Sequence, residues 1–234
     1  MRILITAGGT EEPIDRIRSI TNSSTGVTGA TIAKVFAENS HHVCLLHSKR
    51  ADLSPLEDLE IEKRPYKSFA DLAAALREQL REKKSFDVVV HLAAVSDYAV
   101  KTINVDGCPV TADRKGKIPS GRKVSLTMEA TPKLIDSVKE WSSNPNILVV
   151  AFKLTDTADG PAQEREIMEL MRRSVADMVV HNDYSQISTA AHKAAVWYRG
   201  GCIARTETKE ELARTLYKLV CQIKPCAALQ DDGR

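Results

Sequence analysis

The sequence predicts a Rossmann-like α/β domain, a three-layer αβα arrangement around a mostly parallel central sheet. Three observations predict it. Five short apolar runs, at residues 2–6, 42–47, 86–92, 147–152 and 177–181, recur along the 234-residue chain. Segments with apolar residues at helical spacing lie between them. The first run ends directly in Gly8-Gly9. Continuously apolar strands belong to parallel sheets that helices cover on both faces.

Taken in order, RILIT at 2–6 is a buried strand. Residues 26–38 read as a helix gathering Ile32, Val35 and Phe36 on one side. HVCLLH at 42–47 is the second strand. Ser68 is the candidate N-cap of a helix over 69–82, with Leu72, Ala75, Leu76 and Leu80 at helical spacing. FDVVVHL at 86–92 is the third strand. Thr131-Pro132 opens a helix through Trp141, with proline at its first position. ILVVAF at 147–152 is the fourth strand, 163–174 a helix, and DMVVH at 177–181 the fifth strand. Residues 194–198 and 202–205 form an added antiparallel hairpin around Gly200-Gly201. The closing helix covers 208–223, capped by Thr206 or Thr208.

One stretch breaks this rhythm. Residues 100–123 are polar, with glycines at 107, 116 and 121, and they carry Lys101, Arg114, Lys115, Lys117, Arg122 and Lys123. A loop this long in a compact domain is a lid, a binding loop or disordered. The expectation is a single domain over 1–224 with a flexible flap at about 100–123. The tail, 225–234, is expected to be disordered.

Composition removes several function classes. Lysine and arginine total 33 against 31 aspartates and glutamates, a net charge of +2 that argues for no nucleic-acid partner. Aromatics at 5% disfavour a base-stacking surface. No apolar stretch approaches the ~18 residues of a membrane span. The N-terminal apolar run is too short for a signal peptide. Cys44, Cys108, Cys202, Cys221 and Cys226 are odd in number and form no C-x-x-C pair. Reduced thiols in a cytoplasmic protein are expected, rather than a disulfide framework or a zinc site.

In a doubly wound sheet, ligands bind at the carboxyl ends of the strands. Gly8 and Gly9, after strand one, permit close backbone approach. Asn22-Ser23-Ser24-Thr25-Gly26 then opens the first long helix. Hydroxyls beside a positive helix end can cradle a phosphate, although Ser24 or Thr25 could equally just cap the helix. Asp97, just past strand three, could hold a metal–phosphate complex or a ribose hydroxyl, or make an Asx-turn. The basic flap could close over a triphosphate and stabilise charge on phosphorus, or be a solvated charge run. Phe152 offers a ring for a base and Lys153 a further cation. His91 and His181, within or ending strands, read as structural. A nicotinamide site fits poorly. G-x-G-x-x-G is absent, strand two ends in His47-Ser48 without an acidic residue, and no tyrosine has lysine four residues on.

ITAGGTEEPID, RSITNSSTG, AAVSDY, KIPS, TPKLIDSVKEW, AFKL and NDYSQIS follow one another over almost the whole chain. Together they resemble the phosphopantothenate–cysteine ligase family of coenzyme A biosynthesis, also called phosphopantothenoylcysteine synthetase, in its stand-alone bacterial form. The resemblance implies a ligase that uses CTP, or alternatively ATP, with Mg2+. The carboxylate of 4′-phosphopantothenate would displace pyrophosphate, giving an acyl-cytidylate. The amine of cysteine would then release CMP. It also implies a homodimer and no flavin.

The resemblance assigns roles residue by residue. Asn22 matches the catalytic asparagine, and Lys117 the flap lysine that acts on the triphosphate and closes over the intermediate. Ser24, Thr25 and Gly26 match the triphosphate turn. Asp97 matches the aspartate near ribose, triphosphate and magnesium. Phe152 matches the aromatic beside the nucleotide, and Asn182 the asparagine after strand five. Val27 and Thr28 depart from the lysine and methionine of fused enzymes, and Lys153 from their alanine. Two other readings stay open: an NAD(P)-dependent reductase or epimerase, and a non-catalytic nucleotide-binding protein.

Overall fold

A computed structural model describes residues 1–110, 116–187 and 192–225. The chain begins with β1 (Arg2–Ala7), a ribbon of β2 (Glu11–Pro13) and β3 (Ser19–Thr21), then α1 (Val27–Glu38) and β4 (His42–Ser48). There follow β5 (Glu62–Tyr66), α2 (Phe69–Leu80) and β6 (Val88–His91). Next come β7 (Tyr98–Val105), β8 (Cys108–Val110), β9 (Val124–Ala130), α3 (Leu134–Trp141) and β10 (Leu148–Thr155). The chain closes through α4 (Gly160–Ser174), β11 (Met178–Asp183), β12 (Ala194–Tyr198), β13 (Gly201–Thr206) and α5 (Lys209–Ile223).

The main sheet has eight strands in the order β13-β12-β11-β10-β6-β1-β4-β5. The six from β11 to β5 are parallel, and the β12–β13 hairpin adds two antiparallel strands at one edge. Alternation along β1 explains the layers. Ile3, Ile5 and Ala7 join a core with α1 and α5 residues, whereas Leu4 joins one with α2, α3 and α4 residues. Gly29 lets α1 sit down on the sheet, since a Cβ there would lie 2.5 Å from that of Ala7. The strand order reverses between β1 and β6, which places the ligand crevice of such a sheet at their C-terminal ends.

The local signals hold at α2 and α5. Ser68 and Asp71 form a full capping box. Thr208, not Thr206, caps α5 by accepting the Glu211 N–H. Three expectations change. Pro132 stands before the first turn of α3, because Lys133 is the N-cap. β5, EKRPY, has no counterpart in the sequence reading; it is a charged edge strand that among the described residues pairs with β4 alone. Much of the 100–123 stretch is also no loop. β7 pairs with both β8 and β9 in a three-stranded antiparallel sheet, and Val100, Ile103 and Ile118 form a small core of their own. Arg114 and Lys115 of the flap, and residues 226–234, lie outside the described residues. Cys44, Cys108, Cys202 and Cys221 are free thiols. Among the described residues no helix is long and apolar enough to cross a membrane.

Candidate functional site

The crevice is built from backbone first. Gly8 has φ +89°, and a Cβ there would meet Ser48 Oγ at 2.2 Å. A Cβ on Gly9 would stand 2.1 Å from the Asn22 carbonyl oxygen. Both positions therefore need glycine to bring β1, β4 and the Asn22 turn together. Beyond β1, the Ala94 N–H donates to the Gly8 carbonyl (2.9 Å) and the Thr10 N–H to the Ala94 carbonyl (3.1 Å). These bonds stitch the two sides of the crevice. The buried Tyr66 hydroxyl reaches the carbonyls of Ala7 (2.8 Å) and Gly8 (3.0 Å) from β5.

Asn22 follows the β2–β3 ribbon and donates its side-chain N–H to the Val95 carbonyl at 3.0 Å. Ser24 and Thr25 are exposed. The N-cap of α1 is Gly26 at φ +76°, without a side-chain cap. Neither hydroxyl caps the helix, so of the two readings of this turn the structural cap falls away. The first N–H groups of α1 are left with a positive helix end and no capping side chain.

A cleft of about 190 Å³ opens at the ends of β6 and β10. It brings together Asp97, Phe152 and Lys153, and Val95 on its wall carries the carbonyl that Asn22 holds. Three ion pairs mark its rim: Asp97 with Lys133, Lys153 with Glu166 (2.6 Å) and Arg173 with Asp136 (2.9 Å). The Asp97 side chain is 59% exposed. Among the described residues no group of three His, Cys, Asp or Glu side chains gathers as a metal cage. The exposed Asp97 carboxylate, here paired with Lys133, is of the type that serves a hard cation taking its other ligands from phosphate and water.

Asn182 lies apart from this cleft. It is buried and donates to the Lys193 carbonyl at 2.7 Å, tying β11 to the segment before β12. Lys117 is exposed. Its neighbour Ile118 is anchored, with the Ile118 N–H donating to Asp15 (3.1 Å) and its carbonyl accepting from Arg18 (2.9 Å). Asp15 also accepts from the Arg18 side chain and from the N–H groups of Ile17 and Arg18. The Arg18 guanidinium, ahead of these backbone donors, holds the Asp15 carboxyl well below the usual range. Lys117 thus stands beside the ribbon that leads into Asn22.

Sequence reasoning did not select Asp15, Arg18, Tyr66, Lys133 or Arg173. Glu11 and Glu12 of the first motif also have structural work: Glu11 pairs with Arg50 (2.9 Å), and Glu12 accepts the Phe69 N–H (2.7 Å) at the start of α2.

The family described as DNA/pantothenate metabolism flavoprotein, C-terminal domain, matches residues 1–223. The coenzyme A biosynthesis bifunctional protein CoaBC of Thermococcus kodakarensis is 34% identical over 222 residues, 92% of this chain and 50% of that protein. The protein of the same name from Escherichia coli K12 is 25% identical over 226 residues, again covering 92% and 50%. The chain thus spans about half the length of these curated relatives. The crystal structure of the DNA/pantothenate metabolism flavoprotein from Streptococcus pneumoniae superposes with a TM-score of 0.81 at 29% identity, covering 95% of this chain and 99% of that one. A Cab2 mutant in complex with phosphopantothenate-cysteine shares the fold, with a TM-score of 0.70 at 16% identity over 94% of this chain and 86% of that one.

Proposed function

The chain belongs to the DNA/pantothenate metabolism flavoprotein C-terminal domain family, and we propose that it is a ligase joining 4′-phosphopantothenate to cysteine at the expense of a nucleoside triphosphate. The observation that carries this reading is the uncapped α1 turn at Ser24–Gly26, set behind Gly8 and Gly9, with Asn22 bridging from it to the wall of the Asp97 cleft. That arrangement offers a phosphate cradle and a cleft joined by one amide side chain.

In this reading a carboxylate oxygen of 4′-phosphopantothenate attacks the α-phosphorus of CTP, the P–O bond to pyrophosphate breaks, and an acyl-cytidylate forms. The amine of cysteine then attacks the acyl carbon and CMP leaves with the bridging oxygen. Activation is needed because a bare carboxylate has no good leaving group, and two easier steps replace one difficult step. The α1 turn holds the triphosphate, with Phe152 and Lys153 lining the nucleotide side and Asn182 supporting the β11 end. Asn22 steadies the acyl-cytidylate while the amine attacks, and Lys117 offsets charge on the triphosphate as pyrophosphate departs. Asp97 would hold Mg2+, whose chemistry is to neutralise phosphate charge. A homodimer belongs to the same reading, supported by the apolar residues Tyr98, Val110, Val124 and Met128 that the three-stranded sheet leaves exposed.

The test is amide formation. Protein, 4′-phosphopantothenate, Mg2+ and cysteine are incubated with CTP or ATP, following pyrophosphate and the product by mass spectrometry. The expected result is amide and pyrophosphate in equal amounts, with CTP preferred. Tight nicotinamide binding with no pyrophosphate would favour a reductase instead.

A further inference from the structure

We propose that His91 is a specificity-determining residue of the cleft, presenting a neutral imidazole Nε2–H to a carbonyl oxygen of the bound substrate. The ring ends β6, lines the cleft beside Ala93 and Ala151, and is only 8% exposed. Its Nδ1 lies 2.9 Å from the Thr6 hydroxyl. Thr6 is wholly buried, and its oxygen already accepts the Ala93 N–H at 3.1 Å. With the Ala93 N–H on that oxygen, we assign the Thr6 proton to Nδ1 as its acceptor. A neutral ring whose Nδ1 accepts carries its own proton on Nε2. Burial keeps the ring neutral by pushing it down to about 4.

Among the described residues Nε2 has no hydrogen-bond partner, and it is not one of the fully buried unpaired atoms. With Nδ1 turned to Thr6, the Nε2–H is the ring's free donor at the cleft lining, open to a ligand that brings an acceptor. The acceptor is a neutral carbonyl rather than a phosphate. The ring carries no charge, and the rim cations Lys153 and Arg173 are already matched by Glu166 and Asp136. Leu134 and Leu170 make the adjoining wall apolar. Within the ligase reading, on which the choice of substrates rests, two sources supply such a carbonyl: the pyrimidine ring of CTP and an amide of 4′-phosphopantothenate.

The experiment is imidazole 15N NMR of the full chain with CTP, ATP or 4′-phosphopantothenate added singly, alongside binding calorimetry of His91→Leu and His91→Gln. The expected spectrum has Nε2 protonated and Nδ1 bare, with Nε2 moving when one carbonyl-bearing compound saturates the site. His91→Leu should weaken that compound about tenfold, the scale of one lost hydrogen bond, and His91→Gln should recover most of it. Movement with CTP assigns the nucleobase; movement with 4′-phosphopantothenate assigns the amide. An unmoved Nε2 with all three would overturn the proposal, as would movement with ATP alone, because adenine has no carbonyl. Unchanged affinities in folded His91→Leu would do the same. No amide from wild type with a CTP-dependent Nε2 shift sinks the ligase and keeps this inference; amide with an unmoved Nε2 does the reverse.

Discussion

Asn22 and Lys117 serve different halves of the proposed reaction, and single substitutions separate them. The Asn22 amide is anchored to the Val95 carbonyl, which fixes its place between the phosphate turn and the cleft. Asn22→Ala should still release pyrophosphate but form little amide, so acyl-cytidylate accumulates and is seen by mass spectrometry. Wild-type amide yield in that variant would take Asn22 out of the second step. Lys117 has an exposed side chain on an anchored backbone. Lys117→Ala should slow pyrophosphate release by about 10²-fold, the scale of one electrostatic stabiliser. An unchanged first step in rapid-quench kinetics would reduce Lys117 to a surface charge.

At the scale of elements, Asp15 ties the β2–β3 ribbon to the segment that carries Lys117. Its carboxylate accepts from Ile17, Arg18 and Ile118. Its folded-state pKa is depressed, so its contribution to stability is present above the ordinary value of 3.8 and is lost as pH falls through the lower folded-state value. In denaturant titrations, Asp15→Asn should be less stable than wild type at neutral pH, and the gap should close below about pH 3.8. A gap independent of pH would mean that the charge does not hold the ribbon. The same elements show where reading the sequence stops. Apolar runs and helical spacing place β1, β4, β6, β10, β11 and the five helices to within a few residues, because those elements bury continuous surface. β7 does not alternate strictly, because a bulge between Val100 and Thr102 lets Val100 and Ile103 both be buried, and its basic, glycine-bearing surroundings favour a loop reading. β9 is exposed nearly throughout, so its pairing with β7 has no apolar signature.

For the whole molecule, strand order decides what meets what. Reversal between β1 and β6 brings Gly8, Gly9 and the Asp97 segment together, and motif reading finds these because backbone approach and charge are written in residue type. Tyr66 and Thr6 are silent in sequence. Their roles come from hydrogen bonds across strands separated by 59 and 85 residues. The central claim is that one carboxylate oxygen of 4′-phosphopantothenate attacks the α-phosphorus of the nucleotide. The direct measurement uses 4′-phosphopantothenate labelled with 18O in its carboxylate, with CTP, Mg2+ and cysteine, followed by mass spectrometry of the phosphorus products. One label should appear in CMP for each amide formed and none in pyrophosphate. Label in orthophosphate, or amide formed with unlabelled CMP, would contradict the acyl-cytidylate and with it the assigned order of events at Asn22 and Lys117.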